Sequence, residues 1–129
     1  MPSLRLHHEH HRGATVIAVA GELDLATAPA LRHFIDDVRR APADQLIFDM
    51  AGVAFVDSSG LRVLLDAYVL ARRHGGAVHL AALSGAPARL VEITRLGERF
   101  RLHPTTATAL AAVLAAPEAP GSGDGAVPR

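Results

Sequence analysis

Apolar residues recur along the chain in two rhythms, one suited to strands and one to helices. Leu4-Arg5-Leu6 and Thr15-Val16-Ile17-Ala18-Val19-Ala20 have strand character, and Gly13 between them supplies a turn, which predicts an N-terminal β-hairpin. Gly21-Glu22-Leu23-Asp24 closes the second strand. Thr27 is placed to cap a helix, with Pro29 tolerated in the first turn. Leu31, Phe34, Ile35 and Val38 follow at helical spacing, so this helix buries one face. Ala41-Pro42-Ala43-Asp44 stops it. Gln45 to Met50 is a short apolar run of the central-strand kind, and Val53-Ala54-Phe55-Val56 follows after Ala51-Gly52.

A second helix begins in the Asp57-Ser58-Ser59-Gly60 segment. Its buried stripe is Leu61, Leu64, Leu65 and Tyr68, and His74-Gly75-Gly76 closes it with the glycine expected past a helix end. Ala77 to Ala81 is another strand. Pro87 to Leu96 predicts a third helix with Leu90 and Ile93 inward, ending at Gly97, and Phe100-Arg101-Leu102 a last short strand. Thr105 to Ala116, with Leu110, Val113 and Leu114, completes the series as a helix. A hairpin followed by alternating strands and helices implies a single α/β domain over residues 1–116, a mixed sheet with about four helices packed against it. From Pro117 to Arg129 the chain is Pro, Gly and small polar residues with nothing to bury, which predicts a disordered C-terminal tail.

Composition narrows the chemistry. The 129 residues are 50% hydrophobic but only 4% aromatic, so the core must be built from Leu, Val, Ile and Ala. Basic and acidic residues balance at 13 each, which argues against a nucleic-acid binder that works by neutralising phosphates. With no Cys there are no disulfides, thiolate nucleophiles or cysteine-held metals. All the basic side chains other than His are Arg. Without Lys there is no Walker-A loop and no Schiff-base chemistry. No apolar stretch approaches the ~18 residues that span a membrane, and the polar, His-rich start lacks the apolar core of a secretory signal, so a cytoplasmic protein is expected.

Asp57-Ser58-Ser59-Gly60-Leu61 carries the most information. It lies where a strand-like run gives way to an amphipathic helix, so Ser58 or Ser59 falls at or near the N-cap, where free N–H groups favour an oxygen acceptor or a phosphate. One reading is that Ser58 merely caps the helix. In the other, Gly60 in the first turn leaves the hydroxyl unobstructed, on a rigid helix end that another protein can approach. A nucleophile elbow centred on Ser58 would need glycine at position 56, where this chain has Val56. Of the possible bases His74, His79 and His103, one falls at a helix end and another in a strand.

Gly21-Glu22-Leu23-Asp24, followed further on by Phe55-Val56-Asp57-Ser58-Ser59-Gly60-Leu61, resembles a stand-alone STAS domain of the anti-sigma factor antagonist family. The likeness covers roughly Leu4 to Leu114, with one departure. Where the family often has a small residue followed by Gly-Leu before the last strand, this chain has Thr94-Arg95-Leu96-Gly97. The resemblance implies a partner switch and no enzyme activity. Ser58 would be phosphorylated by an anti-sigma factor that is itself a serine kinase, with ATP and Mg2+ bound by that partner. The unphosphorylated form would bind the kinase and free the sigma factor, and a PP2C-type phosphatase would reset the switch. Asp24 and Asp57 match acidic positions near the phosphorylated serine, so the implied partner-binding set is Asp24, Asp57, Ser58, Ser59, Gly60 and Leu61. No cofactor or metal is implied for the chain itself. A STAS subunit serving as an unphosphorylated partner of a transport ATPase is the alternative.

Phosphate on Ser58 adds about −1.5 to −2 charges. At a helix N-terminus it is expected to meet free N–H groups and so to change the surface, leaving the fold intact. In the run His7-His8-Glu9-His10-His11, strand alternation would put His8 and His10 on one face, able to chelate a divalent metal, although such a run more often forms a solvated edge. Arg39-Arg40 and Arg72-Arg73 fall at helix C-termini, where positive charge is favoured.

Overall fold

The apolar runs form strands and the amphipathic stretches form helices in a computed structural model, which describes residues 4–115. In chain order they are β1 (Leu4–His11), β2 (Ala14–Leu23), α1 (Ala28–Val38), β3 (Gln45–Val56), α2 (Ser58–Arg73), β4 (Val78–Ala81), α3 (Gly85–Ile93), β5 (Arg101–His103) and α4 (Thr106–Ala115). One turn of 3-10 helix, Leu96–Glu98, precedes β5. The expected tail from Pro117 lies outside the described residues.

Spatial order in the sheet follows chain order, β1-β2-β3-β4-β5. β1 and β2 are antiparallel, joined at Gly13 with φ of 74°, and every later pair is parallel. Each parallel step needs a crossover, and right-handed crossovers stepping in one direction place their helices on one face. Leu31 and Ile35 of α1, Leu64 of α2 and Val91 of α3 accordingly share one core with Ile17, Phe48 and Leu80. Ala109 and Val113 of α4 pack on the opposite face against Val16, Ile47 and Ala81. Because β2, β3 and β4 are covered on both sides, their sequences are almost continuously apolar. Phe48 and Phe100 are both fully buried, and Phe100 meets the Tyr68 ring edge-on at 5.7 Å. Among the described residues no helix is long and apolar enough to cross a membrane.

Four local expectations change. β3 runs unbroken for 12 residues through Ala51-Gly52. Its register against β2 slips between Ala18 and Ala20 and again between Gly21 and Glu22, each time with an extra residue in β3. Gly52 permits the close approach there, since a Cβ would lie 2.8 Å from the Ala20 Cβ. α3 ends at Ile93, short of Leu96. Pro87 and Val91 face the core while Ile93 is 77% exposed, so the buried stripe is offset from the one the spacing suggests. Leu114 is likewise exposed, α4 resting on Ala109 and Val113. Phe100 precedes β5 as a core side chain.

Candidate functional site

Leu23 of β2 pairs with Val56 of β3, so the residues that follow them, Asp24 and Asp57, emerge side by side at the C-terminal ends of two parallel strands. This is the edge at which α/β sheets commonly present their sites. The Asp57 N–H donates to the Leu23 carbonyl at 3.1 Å, tying the two exits together.

Asp57, and not Ser58 or Ser59, is the N-cap of α2. Its Oδ1 accepts from the Ser59 N–H (2.8 Å) and the Gly60 N–H (3.0 Å), and its backbone carbonyl accepts from the Leu61 N–H. Its Oδ2 accepts from the Leu25 N–H at 3.2 Å, so one carboxylate caps a helix and pins the loop between β2 and α1. Asp24 shapes that loop from within, Oδ1 accepting from the N–H groups of Ala26 (3.0 Å) and Thr27 (3.1 Å). Thr27 holds the N-cap position of α1 but does not cap it. Its hydroxyl donates to the Glu22 carbonyl at 2.7 Å and accepts from the Asp24 N–H.

Gly60 is buried, and its role differs from the expected one of clearing space around a hydroxyl. A Cβ there would lie 2.5 Å from Leu23 Cγ and 2.7 Å from the Leu23 carbonyl oxygen, so glycine lets the first turn of α2 settle onto the end of β2. Leu61 also points inward, 9% exposed. Gly60 and Leu61 therefore set the height and angle of the turn and leave its outer surface to their neighbours. Ser58 is the first residue of α2 and is exposed, whereas Ser59 is half-buried. Asp24 and Asp57 are half-buried beside it.

Two exposed apolar side chains that sequence reasoning passed over lie on the segments next to this turn. Leu25 is 74% exposed on the pinned loop, and Phe55 is 46% exposed just before Val56. Their signals were available: an apolar residue directly after a turn-forming Asp, and a Phe alternating with the buried Val56.

The imidazoles are committed elsewhere. His74 Nδ1 lies 3.0 Å from the Leu70 carbonyl. His79, 2% exposed between β3 and β5, has Nε2 2.6 Å from Gln45 Oε1 and Nδ1 2.9 Å from His103 Nε2. With the Gln45 oxygen accepting, His79 Nε2 carries the proton and Nδ1 accepts from His103. Burial, with the charges of His103 and Arg101 nearby, lowers the His79 pKa to about 4. On β1, His8 and His10 do share a face, but there the His8 ring packs on Phe34, and His10 Nδ1 lies 3.1 Å from Thr15 Oγ1.

The family model for the STAS domain matches residues 5–109. A crystal structure of an anti-sigma factor antagonist from Mycobacterium paratuberculosis superposes with a TM-score of 0.76 at 34% identity, over 86% of this chain and 94% of that one. The anti-sigma F factor antagonist of Paenibacillus polymyxa is 30% identical over 103 residues, 79% of this chain and 86% of the relative. The Bacillus cell fate determinant SpoIIAA, solved in its phosphorylated form, shares the fold with a TM-score of 0.66 at 23% identity, over 84% of this chain and 99% of that one.

Proposed function

The chain belongs to the STAS domain family, among its anti-sigma factor antagonists, and from that membership we propose that it acts as one, with Ser58 as the phosphorylated residue of a partner switch. The observation that carries this reading is the placement of Ser58: an exposed residue on the first turn of a helix, beside the anchored carboxylates of Asp24 and Asp57, with exposed Leu25 and Phe55 on the neighbouring segments. In the unphosphorylated state this surface docks an anti-sigma factor with serine kinase activity, and docking releases the sigma factor. Leu25 and Phe55 supply apolar contact area, and Asp24 and Asp57 hold the two loops in register. ATP and Mg2+ belong to the kinase. In the transfer a bond forms between Ser58 Oγ and the γ-phosphorus, the bond to the ADP oxygen breaks, and the hydroxyl proton leaves to the kinase or solvent. A PP2C-type phosphatase hydrolyses the ester to restore the first state.

The local geometry sharpens how the charge acts. Asp57 already occupies the Ser59 and Gly60 N–H groups, so a phosphate on Ser58 finds no vacant cradle at those positions. It is held outward, next to an anion, and presents its charge to the partner. Repulsion from one carboxylate of the partner ~7 Å away, at an effective dielectric of about 40, is on the order of 2 kcal/mol, or roughly 30-fold in affinity. A release of ~10⁴-fold needs about 5.5 kcal/mol. Desolvation of the phosphate and its bulk at the interface supply the remainder.

Calorimetric titration of the anti-sigma factor with three forms tests this reading. Ser58→Ala should bind like the wild type, and Ser58→Asp should bind at least about tenfold more weakly. Equal affinity for all three would remove Ser58 from the interface.

A further inference from the structure

At the end of α2 remote from Ser58, the side chains of Tyr68, Val69, Arg72 and Arg73 meet Arg99, from the segment ahead of β5, around a hollow of about 540 Å³. Its lining holds three guanidinium groups and no carboxylate. Among the described residues Arg32 and Arg62 share Asp66 and Arg40 pairs with Asp44, and the other arginines are in no ion pair; Arg72, Arg73 and Arg99 differ from the rest in converging on one hollow. All three are exposed. The negative end of the helix dipole accounts for Arg72 and Arg73. It does not account for Arg99, which arrives from a different element. Since the chain contains no Lys, the choice of Arg carries no information, but the convergence does.

The cluster is held in place. Arg72 Nη1 donates to the Tyr68 hydroxyl at 3.1 Å. The Tyr68 ring meets Phe100 edge-on, and Phe100 directly follows Arg99, so packing fixes the loop against the helix. Like charges gathered on one fixed surface repel one another until an anion arrives. The form of the surface indicates what kind of anion. A small ligand has about 70–90% of its area buried by its pocket. Here Val69 is 42% exposed and the guanidiniums stand in solvent, so a compact ligand would remain mostly wet. An extended chain can reach all three forks and still cover Val69.

We propose that this hollow docks an acidic segment of a partner protein, its carboxylates paired with Arg72, Arg73 and Arg99 and an apolar side chain laid against Val69. Along the 16-residue α2, at 1.5 Å per residue, the hollow lies about 15–22 Å from Ser58, beyond a Debye length of about 8 Å at physiological salt, so its occupancy is independent of the phosphorylation state.

Fluorescence anisotropy with a short labelled peptide of glutamates around one leucine, at about 50 mM salt, tests the proposal. The peptide should bind the full chain, and its glutamine counterpart should bind at least about tenfold more weakly. Arg73→Glu with Arg99→Glu should cost more than about tenfold, and the milder Arg73→Ala with Arg99→Ala about fivefold, which decides the matter if charge reversal disturbs folding. Raising salt to about 300 mM should weaken binding, and Ser58→Asp should leave it within about twofold. Absence of peptide binding, or equal binding by the arginine variants and the wild type, would overturn the proposal. So would binding of tripolyphosphate without the peptide, which would mark a compact oxyanion site.

Discussion

Asp57 holds three N–H groups, two in the first turn of α2 and one in the loop between β2 and α1, which makes it the residue on which the geometry around Ser58 most depends. Replacing an N-cap Asp with Ala costs about 1 kcal/mol, and loss of the Leu25 contact raises this, so Asp57→Ala should lower stability in urea unfolding by about 1–2 kcal/mol. Asp57→Asn, which keeps one acceptor oxygen, should lose less. At Gly60 two effects oppose each other. Helix propensity alone favours alanine by about 1 kcal/mol. The new Cβ, however, would lie 2.7 Å from a backbone carbonyl that cannot rotate away, and overpacking of this kind costs about 1–3 kcal/mol. Gly60→Ala should therefore destabilise, and an unchanged or raised urea midpoint would contradict the close packing on Leu23. Sequence alone located this turn and its exposed Ser58. It did not reveal that Asp57, one residue earlier, is the cap, because Ser and Asp are equally good capping residues and the motif contains both.

Among the elements, periodicity located the four α-helices and the strand segments along the chain but misjudged where local packing departs from the ideal repeat. The extra residues in β3 made one strand look like two runs, and the buried stripe of α3 is offset enough to expose Ile93. The departure at Thr94-Arg95-Leu96 has a physical reading as well. Arg95 adopts φ of 61°, a left-handed conformation that costs an L-residue about 1–2 kcal/mol and a glycine far less. Arg95→Gly should raise the melting temperature by a few degrees, the strain relieved exceeding the flexibility added to the unfolded chain. The His79–His103 contact joins β4 to β5, and the burial of His79 there gives stability a pH dependence. Folded His79 stays neutral down to about pH 4, whereas in the unfolded chain it takes up a proton near its ordinary value of 6.5. Between these values the unfolded state binds more protons. Stability is thus retained above about pH 6.5, declines as pH falls toward about 4, and levels off below, with a slope of at most about 1.4 kcal/mol per pH unit. Urea midpoints of the wild type and His79→Gln, compared across that window, should converge as pH falls; parallel curves would contradict a buried neutral imidazole.

Over the whole molecule, one face of the sheet carries three crossover helices and the other a single short helix. The C-terminal strand ends are thereby left to present Ser58 on a rigid platform. Because its hydroxyl stands outside the core and Asp57 already fills the adjacent N–H groups, phosphate there should alter the surface and leave the fold unchanged. Far-ultraviolet circular dichroism and the urea midpoint should be nearly the same with and without the modification. The most direct measurement is peptide mapping by mass spectrometry after incubation with ATP and the anti-sigma kinase that binds the unphosphorylated chain. A single phosphate on Ser58, absent from Ser58→Ala, is the expected result. Phosphate on the half-buried Ser59, or none at all despite tight binding, would contradict the switch.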